Sequence, residues 1–181
     1  MTLSYLAVMD PIGAGIPRSP VAVLVAFVLA LVLCGWVARR LGTSRVVAWL
    51  LLATNFVILA ATLMPSRSAL EPGVSGFLTC DLSRIGPASV ATYLLVSDPA
   101  LNVLLFIPLG ALIGQLDRPP HRGLLVVAAV ILPFGIELVQ ALVVPLRRAC
   151  EGGDMFDNLA GLAIGLAIGF AWRRARRTAQ T

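Results

Sequence analysis

The chain has 181 residues, of which 59% are hydrophobic and only 13% charged, about half the charged fraction of a soluble domain. Its mean hydropathy of +0.93 excludes a water-soluble globular protein and leaves the number of membrane crossings as the question. The net charge of +5 comes from arginines gathered beside apolar runs, a membrane-orientation signal rather than a nucleic-acid footprint.

Residues 1 to 20 read as a short outer arm, with Leu3, Tyr5, Leu6 and Val8 lending it interfacial character. No basic region precedes a short apolar core, so a cleaved signal peptide is not expected. A span needs about 20 mostly apolar residues. Five stretches qualify: Val21 to Ala38, Val46 to Leu63, Ala100 to Leu116, Leu124 to Val144 and Met155 to Trp172. The predicted fold is an all-α polytopic bundle of five spans.

The connectors of such a bundle alternate sides. One side collects Arg39, Arg40, Arg45, Arg118, Arg122, Arg173, Arg174, Arg176 and Arg177; the other has only Arg18, Arg67, Arg84, Arg147 and Arg148, with most of the acids. Nine arginines against five place the first set in the cytoplasm. The N-terminus is then outside and the C-terminus inside. The terminal RRARR reads as an orientation anchor that can also touch anionic lipid.

The first span closes on Trp36, Arg39 and Arg40, an interfacial aromatic and two anchors, and its Cys34 reads as inert filler. In the second, Thr54 and Asn55 sit mid-span, bonded to their own backbone or to another helix. Met64 to Pro99 is the longest connector and lies outside. It carries Cys80, Asp81, Arg84 and Pro87, then an apolar stretch, Val90 to Val96. That stretch is too short to span, and suits lying on the membrane or plugging the top of a bundle. The third span has Asn102 near its outer end, with Pro108 and Gly110 in its middle. His121 follows in a cytoplasmic turn, where a solvated loop residue is expected.

The fourth span breaks at Pro133 and Gly135 and then presents Glu137 and Gln140 on one face. A carboxylate in the hydrocarbon zone is costly unless protonated or paired, so it marks a site by default. Glu137 falls roughly 10 Å below the outer surface, from its distance to the end of the span. The loop PLRRACEGGD leads into the fifth span. Asp154, Asp157 and Asn158 crowd the front of that helix, and Gly161, Gly165 and Gly169 form a stripe along it. The stripe suits close packing within the chain or a homodimer equally well.

Cys80 and Cys150 both fall outside, in a compartment that permits disulfides. A Cys80–Cys150 bond is expected, with two free thiols as the alternative. A lone inner histidine cannot join these cysteines in a zinc site. No cofactor is expected. The remaining polar groups, Asn102, Glu137, Gln140, Arg147, Arg148, Asp154, Asp157 and Asn158, converge on the outer half of the membrane. They describe an outward-facing polar pocket.

The segments NVLLFIPLG, IELVQ, the arginines after it and DMFDNLAGLAIG together resemble the VanZ-like membrane proteins. The resemblance runs through Asn102, Phe106, Pro108, Gly110, Glu137, Gln140, Arg147 or Arg148, Asp154, Asp157, Asn158, Gly161 and Gly165, over roughly residues 100 to 172. It implies a single transmembrane domain over residues 1–177 in the bacterial cytoplasmic membrane, with an envelope-facing role. The founding member of that family is an accessory protein that lowers susceptibility to teicoplanin, so reduced glycopeptide susceptibility is part of what the resemblance implies.

Three functions compete. The pocket binds an anionic lipid, a lipid-linked wall precursor or a lipoglycopeptide, with Arg147 and Arg148 for charge and Glu137 and Gln140 for orientation. Or the protein is an enzyme acting on such a lipid, with Glu137 or Asp157 as general base, or Asp154 and Asp157 as ligands of a divalent cation. No nucleophile motif stands beside them. Or the cluster is structural glue without a ligand. A transporter is disfavoured by the lack of an internal repeat.

Overall fold

The computed structural model describes residues 20–63, 80–143, 146 and 150–179. Its elements in order are α1 (Pro20–Leu41), α2 (Arg45–Leu63), β1 (Cys80–Asp81), α3 (Val90–Leu94), α4 (Asp98–Gly114), α5 (Pro119–Leu142), β2 (Cys150–Glu151) and α6 (Gly152–Thr178). The predicted outer arm, the first part of the long connector and both Arg147 and Arg148 lie outside the described residues.

The chain is an all-α, multi-span bundle. Four helices are long and apolar enough to cross a membrane: α1 from Leu24, α2, α5 and α6. The third predicted span, Ala100 to Leu116, corresponds to α4, which is apolar but only 17 residues long, about 26 Å at 1.5 Å per residue. Leu24, Leu31, Val32, Leu104, Leu124 and Ile131 are each more than half exposed. A bilayer accommodates that much apolar surface, and water does not. Behind it, Phe106, Leu109, Ile113, Ile58, Ile136 and Leu162 form the dry centre of the bundle.

The closest packing is between α4 and α6, and small residues allow it. A Cβ on Gly161 would run into the Val103 carbonyl, and one on Gly165 into that of Ile107. From the other side, a Cβ on Gly114 would sit 2.8 Å from the Leu166 carbonyl oxygen, closer than packed atoms approach. Val103, Ile107 and Ala111 face Gly161, Gly165 and Gly169 in the same order, so the two helices run parallel. The glycine stripe therefore packs within the chain.

Both elements end among arginines. Leu116 O, just past α4, accepts from Arg122 at 2.8 Å and from Arg173 at 3.0 Å, and Arg177 pairs with Asp117 at 3.2 Å. These cations complement the carbonyls left open at a helix C-terminus. The α1–α2 turn joins them at Gly42, whose φ of +63° favours glycine and whose missing Cβ makes room for the Arg118 side chain. The arginines assigned to one side by sequence thus gather at one end of the bundle, or on the helices and turns that lead to it.

His121 departs from expectation. Pro119 and Pro120 open α5 ahead of the apolar run, because a helix start does not need their missing N–H groups. His121 consequently lies in the first turn of α5, half-buried, with Nδ1 shielded and unpartnered among the described residues. It is not a solvated loop residue.

At the opposite end, β1 and β2 pair in parallel, with Cys80 across from Cys150. The expected Cys80–Cys150 disulfide is present, with Cα atoms 4.6 Å apart, while Cys34 is free. Alkylation under denaturing conditions should therefore modify only Cys34 without reductant and all three cysteines after reduction. Modification of all three without reductant would refute the bond.

Candidate functional site

The site is assembled around the disulfide. Past Cys80, the Asp81 side chain accepts from the Ser83 N–H at 2.8 Å, an Asx turn that redirects the chain. Arg84 follows, and its guanidinium lies over Gly153, where a Cβ would overlap it. The absent side chain lets Arg84 reach Asp157, one turn further along α6. The Arg84 Nη2 donates to Asp157 Oδ2 at 2.8 Å and stands 3.9 Å from Asp154 Oδ1. Its other terminal nitrogen donates to the Gly86 carbonyl at 3.0 Å.

The second Asp157 oxygen is taken as well. Tyr93, on α3, donates its hydroxyl to Oδ1 at 2.5 Å and accepts from the Ala88 N–H at 3.0 Å. Ser89 caps α3, and its hydroxyl accepts from the Thr92 N–H at 3.2 Å. The apolar stretch Val90 to Val96 thus covers the top of the bundle through one polar residue, while Val90 and Leu94 remain exposed. Asp157 itself is fully buried. A buried carboxylate is tolerable when hydrogen-bonded and paired, and Arg84 and Tyr93 supply both.

The same contacts set the titration of the strap. The Asp157 hydrogen bond, reinforced by the acids around it, holds the Arg84 guanidinium above its ordinary range against the opposing effect of burial. Burial and then the Asp157 hydrogen bond push the Tyr93 phenol above its ordinary 10.0. Because the folded value is raised, Tyr93 contributes its full stabilisation below pH 10.0 and loses it as pH rises through the raised value. In a Tyr5→Phe background, phenolate absorbance should appear only above the range of free tyrosine; ordinary titration would contradict the contact.

Glu137 is 2% exposed and accepts from the Glu151 backbone N–H at 2.8 Å. It sits at the N-terminus of α6, where the helix dipole favours negative charge, and so ties α5 to α6. Gln140 turns elsewhere: its Nε2 donates to the Thr62 carbonyl at 2.9 Å, joining α5 to the end of α2. Asn102 lies beside Asp154, yet its Nδ2 meets no acceptor in hydrogen-bonding geometry among the described residues. Asn158 is buried with Oδ1 likewise unpartnered.

The predicted residues therefore divide. Asn102, Asp154, Asp157 and Asn158 come together where α4 and α6 begin; Glu137 and Gln140 act as links between helices; Arg147 and Arg148 lie outside the described residues. Arg84 and Tyr93 were not anticipated. Among the described residues no cluster of three His, Cys, Asp or Glu side chains suits a metal ion. Asp154 is the carboxylate of the pair that retains solvent access, its side chain 27% exposed. No family model, no curated protein and no solved structure matches the chain.

Proposed function

We propose that this chain is a VanZ-like protein of the bacterial cytoplasmic membrane whose acidic, disulfide-bonded end faces outward and binds the polar head group of a lipid-linked ligand. The arginine-rich end then lies in the cytoplasm, in keeping with the positive-inside tendency, and the disulfide in an oxidising compartment. In this reading α4, which runs parallel to α6, also crosses the membrane, so the spans number five and the N-terminus is outside.

One observation carries the binding reading. Asn158 Oδ1 is a buried acceptor without a protein partner among the described residues, and Asn102 Nδ2, beside the Asp154 carboxylate, makes no hydrogen bond of good geometry there, next to a partly exposed Arg84–Asp154 pair. Native proteins rarely leave such groups unsatisfied, and a ligand would satisfy them. The charge balance narrows the class. Arg84 is paired with Asp157 and Asp154, and Glu151 and Asp98 add negative charge around Asp154, so a head group bringing only negative charge is repelled. A head group with both phosphate and ammonium finds Arg84 and Asn102 for the first and Asp154 for the second. Among the candidate ligands this favours an amine-bearing lipid-linked wall precursor or lipoglycopeptide over a simple anionic lipid, and links the site to glycopeptide susceptibility.

Native mass spectrometry of the protein offered phosphatidylethanolamine or phosphatidylglycerol tests the reading. Retention of phosphatidylethanolamine should fall about tenfold in Asn102→Leu and in Asp154→Asn, the cost of a lost hydrogen bond to a charged group. Equal retention of both lipids, or no effect of either variant, would count against it. An enzyme acting on the same ligand would rely on Asp154 as base, since Asp157 and Glu137 are occupied by their partners; turnover of the lipid that Asp154→Asn abolished would establish that.

A further inference from the structure

At the arginine-rich end, α1 and α2 form a hairpin beside α4 and α5. Between them lies a cavity of about 730 Å³, within the range of small-molecule sites, roughly 300–1,000 Å³. Its floor is apolar: Leu109 and Ile113 of α4 and Ala129 of α5 are all buried. Of its polar lining, Asn55 lies inside and donates to its own helix at Leu51 O, 2.8 Å away, while the other groups are at the mouth. Arg40 lies over the Trp36 ring at 5.4 Å, and both line the opening together with His121. The His121 Nδ1 is shielded from solvent and has no partner among the described residues.

We propose that this cleft is a second lipid site, in which one acyl chain of an anionic phospholipid from the adjacent leaflet lies between α1 and α5. Its phosphate is held by Arg40 and by the His121 imidazole. The chemistry of the lining fits an amphiphile, apolar inside apart from Asn55, whose amide is bonded to its own helix, and polar at one rim. The rim is also cationic: within the described residues no carboxylate lines the cavity. Trp36 is 55% exposed at a membrane-interface position, where an indole packs against the glycerol region of a lipid. A zwitterionic lipid offers the same phosphate but also brings an ammonium to this cationic rim, so the site discriminates by net head-group charge.

The test uses intact protein in phosphatidylcholine vesicles doped with brominated lipid, in a Trp49→Phe, Trp172→Phe background that leaves Trp36 as the reporter. Brominated phosphatidylglycerol should quench Trp36 about fivefold more effectively than brominated phosphatidylcholine at equal mole fraction, the advantage one surface arginine gives to an anionic head group. Arg40→Ala should remove most of that preference. Ala128→Phe, which fills the cleft from a lining position, should abolish the excess quenching with both lipids. Equal quenching by the two lipids in the unmodified cleft would overturn the proposal. So would quenching insensitive to Ala128→Phe, or a Trp36 shielded by a second copy of the chain and revealed by cross-linking.

Discussion

Replacing Gly165 by leucine should separate α4 from α6 and cost on the order of 3 kcal/mol or more, the upper range for overpacking a tight interface. The side chain has no space to enter, because the Ile107 carbonyl and the Ala111 backbone already occupy the position of its first carbon. Backbone cannot rotate aside as a side chain does, so the helices must move apart. They would lose dispersion contact along their whole length, and in a bilayer packing of this kind is the main force between helices. Gly135 provides the control. It lies in α5 with open space where a Cβ would stand, no atom coming within 4 Å among the described residues. Gly135→Ala should therefore be neutral or gain up to about 1 kcal/mol of helix propensity. Steric trapping in bicelles measures both; similar effects at the two positions would refute the packing account.

The second large effect is expected at Arg84. Arg84→Ala removes the cation from a fully buried Asp157 and should cost about 3 kcal/mol, as when one member of a buried ion pair is deleted. Most of that cost is the stranded carboxylate rather than the lost attraction. Adding Asp157→Asn should therefore recover part of it, with a coupling energy on the order of 2 kcal/mol between the two positions. Proteolysis within the strap, near Ser83 to Pro87, should accelerate in Arg84→Ala and slow again in the double variant. Strict additivity would show that Arg84 and Asp157 do not act as a pair.

The bundle itself was legible because membrane helices announce themselves by length and composition, and the arginines sort by side. The disulfide followed from placing Cys80 and Cys150 in one compartment. The glycine stripe was visible at Gly161, Gly165 and Gly169, but its partner was not: the matching small residues, Gly110, Ala111 and Gly114, lie on a helix interrupted by Pro108. Arg84 is hard to read as Asp157's partner because 73 residues separate the two, while Arg147 and Arg148 are nearer in sequence. A signal was nevertheless present. Once Cys80 is tied to Cys150, a cation one short turn past the first cysteine can reach the acids that follow the second. Tyr93 offered less, one hydroxyl in an apolar stretch. His121 differs from expectation because paired prolines read as a turn, whereas Pro119 and Pro120 begin α5.

The head group proposed to lie beside Asn102 bears a phosphate. Phosphorus–nitrogen dipolar recoupling on protein labelled with ¹⁵N-asparagine in native-lipid bilayers tests that placement directly. The chain has asparagines only at positions 55, 102 and 158, and Asn55 donates to its own helix at Leu51 O, 2.8 Å away. The Asn102 side-chain nitrogen should dephase against lipid phosphorus while that of Asn55 does not. An Asn102 signal as indifferent to phosphorus as that of Asn55, in protein whose Cys80–Cys150 bond is intact, would contradict the account.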